Sequence, residues 1–345
     1  MSRTKSMFVT TLALVIIAGL LSACAGAPAT PTPAPKPPAA AKPAEKAAPP
    51  AKAQAPEKPN LAVSILPISE CLPVFVASKL GYFKDEGLNV ETKIVGGGAE
   101  AIPILQAGKL DIAFSNTVST VLGKSQGIDL TILASGAKAR SAPPDVTSAL
   151  MVSATGPIKT LKDIEGKRIA VNNVSSINWV HTKNALEASG VDTSKIQWSE
   201  LGFPQMNDPL INGQVDAITQ VEPFRTILES AGKAKTLQFS FVASQPSMDI
   251  SQYIAIRKFV QENPITVGKF KAALAKAVNL LNSNEAQARE LNAEFTKLDP
   301  ALKDKVMLPL FRTEADPKAV QDTADIMLKH KMLSQKYDTS SLFQK

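Results

Sequence analysis

From residue 61 onward, short apolar runs alternate with longer amphipathic stretches. Leu61–Leu66, Leu88–Val95, Asp111–Ser115, Leu130–Ala134, Leu150–Ser153, Arg168–Val171, Ile196–Leu201 and Val215–Thr219 have the length and apolar makeup of strands. Helix-length stretches lie between most of them. That order predicts an α/β fold of largely parallel sheets with helices on their faces. After about Lys258 the pattern changes to consecutive helices, opening at Pro264, Pro300 and Pro317. Proline lacks an N–H and has a fixed φ, which suits the first turn of a helix.

One spacing occurs twice. Leu105, Gly108, Asp111 and Ala113 return as Leu210, Gly213, Asp216 and Ile218. Each set reads as a helix end, a glycine in the left-handed cap position, and an aspartate opening a strand. Two similar lobes would produce such an echo.

The first 60 residues follow different rules. Arg3 and Lys5 precede an apolar run from Met7 to about Leu21. That run falls short of the roughly 20 residues that span a bilayer, and with the small residues after it reads as a secretory signal peptide. Leu21, Ser22, Ala23 and Cys24 resemble the lipobox of bacterial lipoproteins, which implies cleavage after residue 23 and acylation of Cys24. Residues 24–60 then form an Ala/Pro/Lys-rich linker with almost no large apolar side chains, too few to fold by burial. Its prolines favour an extended spacer, on the order of 100 Å at ~3.1 Å per residue. The expected localisation is therefore extracytoplasmic, with a membrane anchor made of lipid.

The net charge of +7 is concentrated in this segment. Seven cations against two carboxylates give residues 1–60 a charge of +5, leaving +2 for the body. A body that close to neutral gives no nucleic-acid footprint. Only Cys24 and Cys71 are present, so neither a disulfide scaffold nor a cysteine-rich zinc site is expected. His181 and His330 lack metal-ligand spacing, and no metal or cofactor is expected.

The body resembles a family at several points in order. These are Pro73 with Val76 and Ala77, then Gly81, Tyr82, Phe83, Glu86, Gly87, Leu88 and Val90, then Gly96–Gly98, Leu105, Gly108 and Asp111. Leu161, Asp163, Gly166, Lys167 and Ile169–Val171 continue it, as do Asp216, Glu222, Pro223 and the pair Asn263–Pro264. Together, from Leu61 to about Leu333, they resemble the periplasmic-binding-protein family that serves sulfonate, taurine, nitrate and thiamine-precursor ABC transporters. Relatives often carry glycine where this chain has Lys331 or Met332. The resemblance implies a two-lobed type II fold with a ligand cleft between the lobes and hinge closure on the ligand. It implies a first lobe at 61–152 and 248–345 and a second at 153–247. It further implies a small-molecule ligand, an ABC permease as partner, a monomer and no catalysis. A ligand-sensing lipoprotein docked on a membrane receptor is one alternative. An enzyme like the pyrimidine synthase on the same fold is another, although such relatives work in the cytoplasm.

In open α/β sheets ligands sit beyond the C-terminal strand ends. That rule selects Ser69 and Glu70 after the first strand, Gly97 after the second, and Ser115, Asn116 and Thr117 after the third. In the second lobe it selects Asn173, Ser175 and Ser176 after Val171, and Glu222 after Thr219. Ser115–Thr117 also suit a helix cap. Gly97 suits close backbone approach to a ligand oxygen. If Glu70 and Glu222 both face the cleft, they favour an amine, amidine or aminopyrimidine over a bare anion. Cys71 reads as a packed apolar residue, and Trp179 as core or cleft wall.

Overall fold

The computed structural model describes residues 54–343. The expected signal peptide, Cys24 and most of the linker lie outside the described residues. Along the chain run β1 (Asn60–Ile65), β2 (Asn89–Ile94), β3 (Ala113–Asn116), β4 (Leu130–Lys138), β5 (Ala149–Ser153), β6 (Arg168–Val171), β7 (Gln197–Glu200), β8 (Ala217–Gln220), β9 (Ala234–Phe239), β10 (Asp249–Ile256) and β11 (Leu310–Phe311). They sort into two bodies of sheet. One has the order β11-β4-β10-β3, with the parallel pair β1-β2 alongside, and the other has the order β7-β6-β8-β5-β9. A parallel bridge from Val63 to Ile112 ties β1 to the chain entering β3.

The sheets are mixed in pairing but mostly one-directional. β5 runs antiparallel to both its neighbours, β8 and β9. β10 does the same between β3 and β4. Among the described residues, these two and the short β11 are the strands that oppose the rest. β5 and β10 are also where the chain passes from one sheet to the other. The two connections lie side by side, with Ala139 N–H donating to Met248 O (2.9 Å), Ser247 N–H to Arg140 O (3.1 Å) and Ser240 N–H to Ser148 O (2.9 Å). Ser148 and Ser247 hold left-handed backbone, φ 51° and 62°, a conformation uncommon outside glycine. A paired, twofold connection of this kind is what a hinge needs.

The cores follow from the pattern. Ile169, Ala170 and Val171 are buried on both faces of the second sheet, as expected for interior parallel strands. In the first, Phe83 stacks on Phe270 (5.3 Å) and Tyr253 meets Phe270 edge-on (6.0 Å). Pro264 and Pro317 open helices Pro264–Ser283 and Pro317–Lys329, and Pro300 opens a single 3-10 turn.

The repeated spacing is structural. Gly108 and Gly213 have φ of 70° and 69°. Asp111 accepts the Ala62 N–H (2.9 Å) while its own N–H donates to Ala62 O (2.9 Å). Asp216 exchanges the same two bonds with Arg168, each also 2.9 Å. In both sheets, then, a carboxylate locks the entry of one strand to its neighbour.

Ordered contacts begin inside the segment that composition assigns to the linker. Glu57 accepts the N–H groups of Ile265 (3.0 Å) and Thr266 (2.8 Å), and Lys58 reaches Asp111 (2.6 Å). Glu57 thus caps the helix that starts at Pro264, whose first N–H groups have no partner within the helix.

Candidate functional site

Loops from both sheets enclose two adjoining cavities. The inner one, about 40 Å³, is lined by Leu66, Ile68, Phe114, Ile177, Phe203, Val221, Phe241 and Ile250, with Glu70, Ser115, Asn116, Asn172, Asn178 and Ser251 as polar members. The outer one, about 290 Å³, is lined by Gly96–Gly98, Glu100, Asn116, Asn172, Asn173, Ser176 and Glu200. Gly97 and Asn172 line both cavities. A Cβ built at Gly97 would sit 3.4 Å from Asn172 Nδ2, so the two walls nearly touch there. A Cβ at Gly98 would meet Ser115 Oγ at 2.4 Å and Asn116 N at 3.0 Å. Only glycine lets helix Gly98–Gln106 start this close to the end of β3.

Most of the strand-end residues chosen from sequence come together here. Glu70, Gly97, Ser115 and Asn116 line the inner cavity, and Gly97, Asn116, Asn173 and Ser176 the outer. Asn116 both caps and faces the cavities. Its Oδ1 accepts the Ser119 N–H (2.9 Å), starting helix Thr117–Ser125. Ser176 donates instead to Asn173 O (2.8 Å), and helix Ile177–Ala188 begins without a side-chain cap. Ile177 and Asn178, the first two residues of that helix, line the inner cavity.

Four of the chosen residues point elsewhere. Thr117 donates to Asp249 O (2.5 Å) and accepts from Gln252 (2.5 Å), which fixes β10 against β3. Ser69 is fully buried and its N–H reaches Glu222 O (3.3 Å), but it lines neither cavity. Ser175 is exposed at the tip of its loop, with φ 65°. Glu222 turns inward to Arg225, whose Nε lies 3.0 Å from its Oε1, and also accepts Thr226 Oγ1 (3.0 Å). Burial pushes the Glu222 carboxyl up, while Arg225 and Thr226 pull it down.

Glu70 is the titratable group of the inner cavity. It is 3 % exposed, and its Oε2 has no hydrogen-bond partner. Burial, reinforced by the nearby Glu222 and Asp145 charges, raises its pKa to about 8 against an opposing backbone hydrogen bond. Asn178 Oδ1 and Ser251 Oγ on the same lining are also buried and unpartnered. Neither was selected from sequence. Asn178 is the second residue of the helix that follows the strand-end loop, and Ser251 lies on β10, whose polar sequence hid it. Cys71 is fully buried and its Sγ accepts the Leu66 N–H (3.3 Å); burial pushes its thiol up, as fits a packed residue. Trp179 lines neither cavity and packs edge-on against Trp198 (6.2 Å). A larger groove of about 660 Å³, mostly apolar, lies between β4 and helix Pro264–Ser283; at its edge Lys271 already faces Glu314 (3.8 Å).

Two sheets joined by a paired connection, with converging strand-end loops, define a two-lobed periplasmic-binding-protein fold of type II. Solved structures share it. The alkanesulfonate-binding protein SsuA from Xanthomonas axonopodis pv. citri, bound to MOPS, superposes with a TM-score of 0.70 at 18 % identity, covering 84 % of this chain and 99 % of that one. Residues 68–288 match the NMT1/THI5-like family, and the chain belongs to it. The curated relatives divide in function. A 4-amino-5-hydroxymethyl-2-methylpyrimidine phosphate synthase from Candida albicans is 25 % identical over 243 residues, 67 % of this chain and 68 % of that protein. A putative aliphatic sulfonates-binding protein from Escherichia coli is 23 % identical over 248 residues, 70 % of this chain and 75 % of that protein. The chain thus spans about two thirds of the length of the synthase.

Proposed function

We propose that this chain is an extracytoplasmic solute-binding lipoprotein of an ABC importer. Cys24 carries the lipid, the Ala/Pro/Lys segment is the stalk, and a monomeric body delivers its solute to the permease. The lobes are residues 61–138 with 249–345, and 149–239, because β5 pairs inside the second sheet and moves the boundary expected at 152/153 ahead of Ala149; they close on the solute about the paired connections at 139–148 and 240–248. The observation that carries this reading is the lining of the inner cavity. It takes apolar wall and unpartnered polar atoms from both sheets, Glu70 and Ser251 from one and Asn178 from the other. Buried polar atoms without partners are costly, and a solute that hydrogen-bonds to them offsets that cost. The solute is a small organic molecule, sulfonate, pyrimidine-type or similar.

The synthase names among the relatives support a second reading, an enzyme on the same fold. One experiment separates the two. The purified chain is screened by thermal shift against sulfonates, nitrate, pyrimidines, flavins and small aromatic acids. A binder at a hundred times its Kd stabilises by about 2.7 kcal/mol. Mass spectrometry of the released solute should return it unaltered. A chemically changed product would replace the binding-protein reading with the enzymatic one.

A further inference from the structure

The cleft is lined by three carboxylates and no cation. Glu70 faces the inner cavity, and Glu100 and Glu200 the outer one; among the described residues no Arg, Lys or His lines either. Glu100 accepts the Gly96 N–H (2.6 Å) and Glu200 the Val174 N–H (2.7 Å). Glu70 Oε2, Asn178 Oδ1 and Ser251 Oγ remain without partners, on side chains that are 3, 3 and 2 % exposed. Two of these atoms only accept hydrogen bonds when Glu70 is ionised, and the third does both. Phe114, Phe203 and Phe241 complete the inner lining. Acceptors, a negative charge and aromatic faces together complement a weakly hydrated positive head group. A sulfonate or nitrate would find no counter-charge in the inner cavity and would face the Glu100 and Glu200 carboxylates in the outer one.

Resting on the solute-binding reading above, we propose that the cleft selects a small organic cation, an ammonium or amidinium head on a short polar body, with Glu70 as its counter-charge. The inner cavity of about 40 Å³ admits a head of a few heavy atoms, since a water needs roughly 10–15 Å³ on this measure. The body occupies the outer cavity against Gly96–Gly98, Asn172 and Asn173.

The surroundings of Glu70 give the cation a signature. Glu222 and Asp145 face Glu70 as like charges, with the buried Cys71 thiol adjacent. Arg225 is engaged by Glu222, and Arg140 lies toward Asp145. With its pKa at about 8, the Glu70 carboxyl keeps its proton at neutral pH until a cation displaces it. Capture therefore releases one proton. Affinity rises with pH and levels off above about 8; by linkage it is about fifty-fold weaker at pH 6 than at pH 8.

The test is isothermal titration calorimetry of the full chain at pH 6, 7 and 8, in buffers of differing ionisation enthalpy. The probes are acetamidine, propylamine and choline, their neutral counterparts acetamide and propanol, and the anions ethanesulfonate and nitrate. At least one cation should bind, release close to one proton at pH 6 and about half a proton at pH 8, and show the pH dependence. Glu70→Gln should weaken that cation at least tenfold and flatten its pH profile without changing the circular dichroism spectrum. Should Glu70→Gln misfold, the proton release and pH profile of the unaltered chain decide the matter. Binding of an anion or a neutral probe in preference to every cation overturns the cation assignment and leaves the binding-protein reading standing. Silence from all seven probes counts against both.

Discussion

Replacing Glu222 by Gln separates a structural carboxylate from a ligand-binding one. The Glu222 and Arg225 side chains are 1 % and 7 % exposed. The substitution keeps the shape and one carbonyl oxygen but leaves Arg225 without its main counter-charge. What remains is Glu229, 3.8 Å away and 35 % exposed, and the Phe239 ring at 5.5 Å. Removing one partner of a buried pair costs about 3–5 kcal/mol. The surviving oxygen and Glu229 place this case at the lower end, about 3 kcal/mol. For the 290 residues from 54 to 343, unfolding entropy is about 600 cal/mol/K, so the melting temperature should fall by about 5 °C. Differential scanning calorimetry measures that fall, and titration with any solute found by the screen measures affinity. Affinity should stay within about threefold, because Glu222 lines neither cavity. An unchanged melting temperature with a tenfold change in affinity would refute the reasoning and return Glu222 to the cleft.

Four further outcomes can be checked independently. Cys24→Ala should move the protein from the membrane to the soluble fraction, and unchanged retention would mean a different anchor. A chain starting at Pro59 should melt below one starting at Ala55, because it lacks the Glu57 and Lys58 contacts. In acid, desolvation is outweighed by hydrogen bonds from Thr266 and Ile265, which hold Glu57 at about 2 instead of 4.5. A depressed carboxylate stabilises the fold above 4.5 and loses that contribution as pH falls from 4.5 toward 2, so Glu57→Gln should flatten the acid slope of the melting temperature there; parallel slopes would exclude the cap. Gly98→Ala should cost about 1–3 kcal/mol by overpacking against Ser115 and Asn116 and should abolish solute binding, whereas a variant with full affinity would show that this close approach is dispensable.

Strands with continuous apolar runs were legible in the sequence. Arg168–Val171 is observed with the bounds read from its pattern. β9 and β10 escaped for physical reasons. β9 is an edge strand, partly buried along most of its length, with Lys235, Thr236 and Gln238 in it. β10 carries Asp249, Ser251 and Gln252 at positions that are all buried; Asp249 accepts from Ser135 and Asp316, Gln252 donates to Thr117, and Ser251 lines the inner cavity. Periodicity signals burial of apolar side chains and is silent where polar ones are buried. The strand-end rule located the cleft loops but not the direction of each side chain. Ser115 and Asn116 turn into the cavity, and Thr117 turns to β10. The position of Lys331 shows why glycine suits it: its φ is 59°, a left-handed turn after helix Pro317–Lys329 that glycine adopts at no steric cost.

The insertion of β10 between β3 and β4 sets an order for folding. The second sheet is built from residues 149–239 without interruption, and each of its strands finds its partner within that span. The first sheet lacks its middle strand until residues 249–256 arrive, and β4 then pairs with a segment more than a hundred residues downstream. Such non-local pairing must meet its loop-closure cost before any contact rewards it. For a chain that emerges N-terminus first, the sheet that starts earliest is therefore the one that closes last. Until it closes, β3 and β4 present open edges on which another chain can pair.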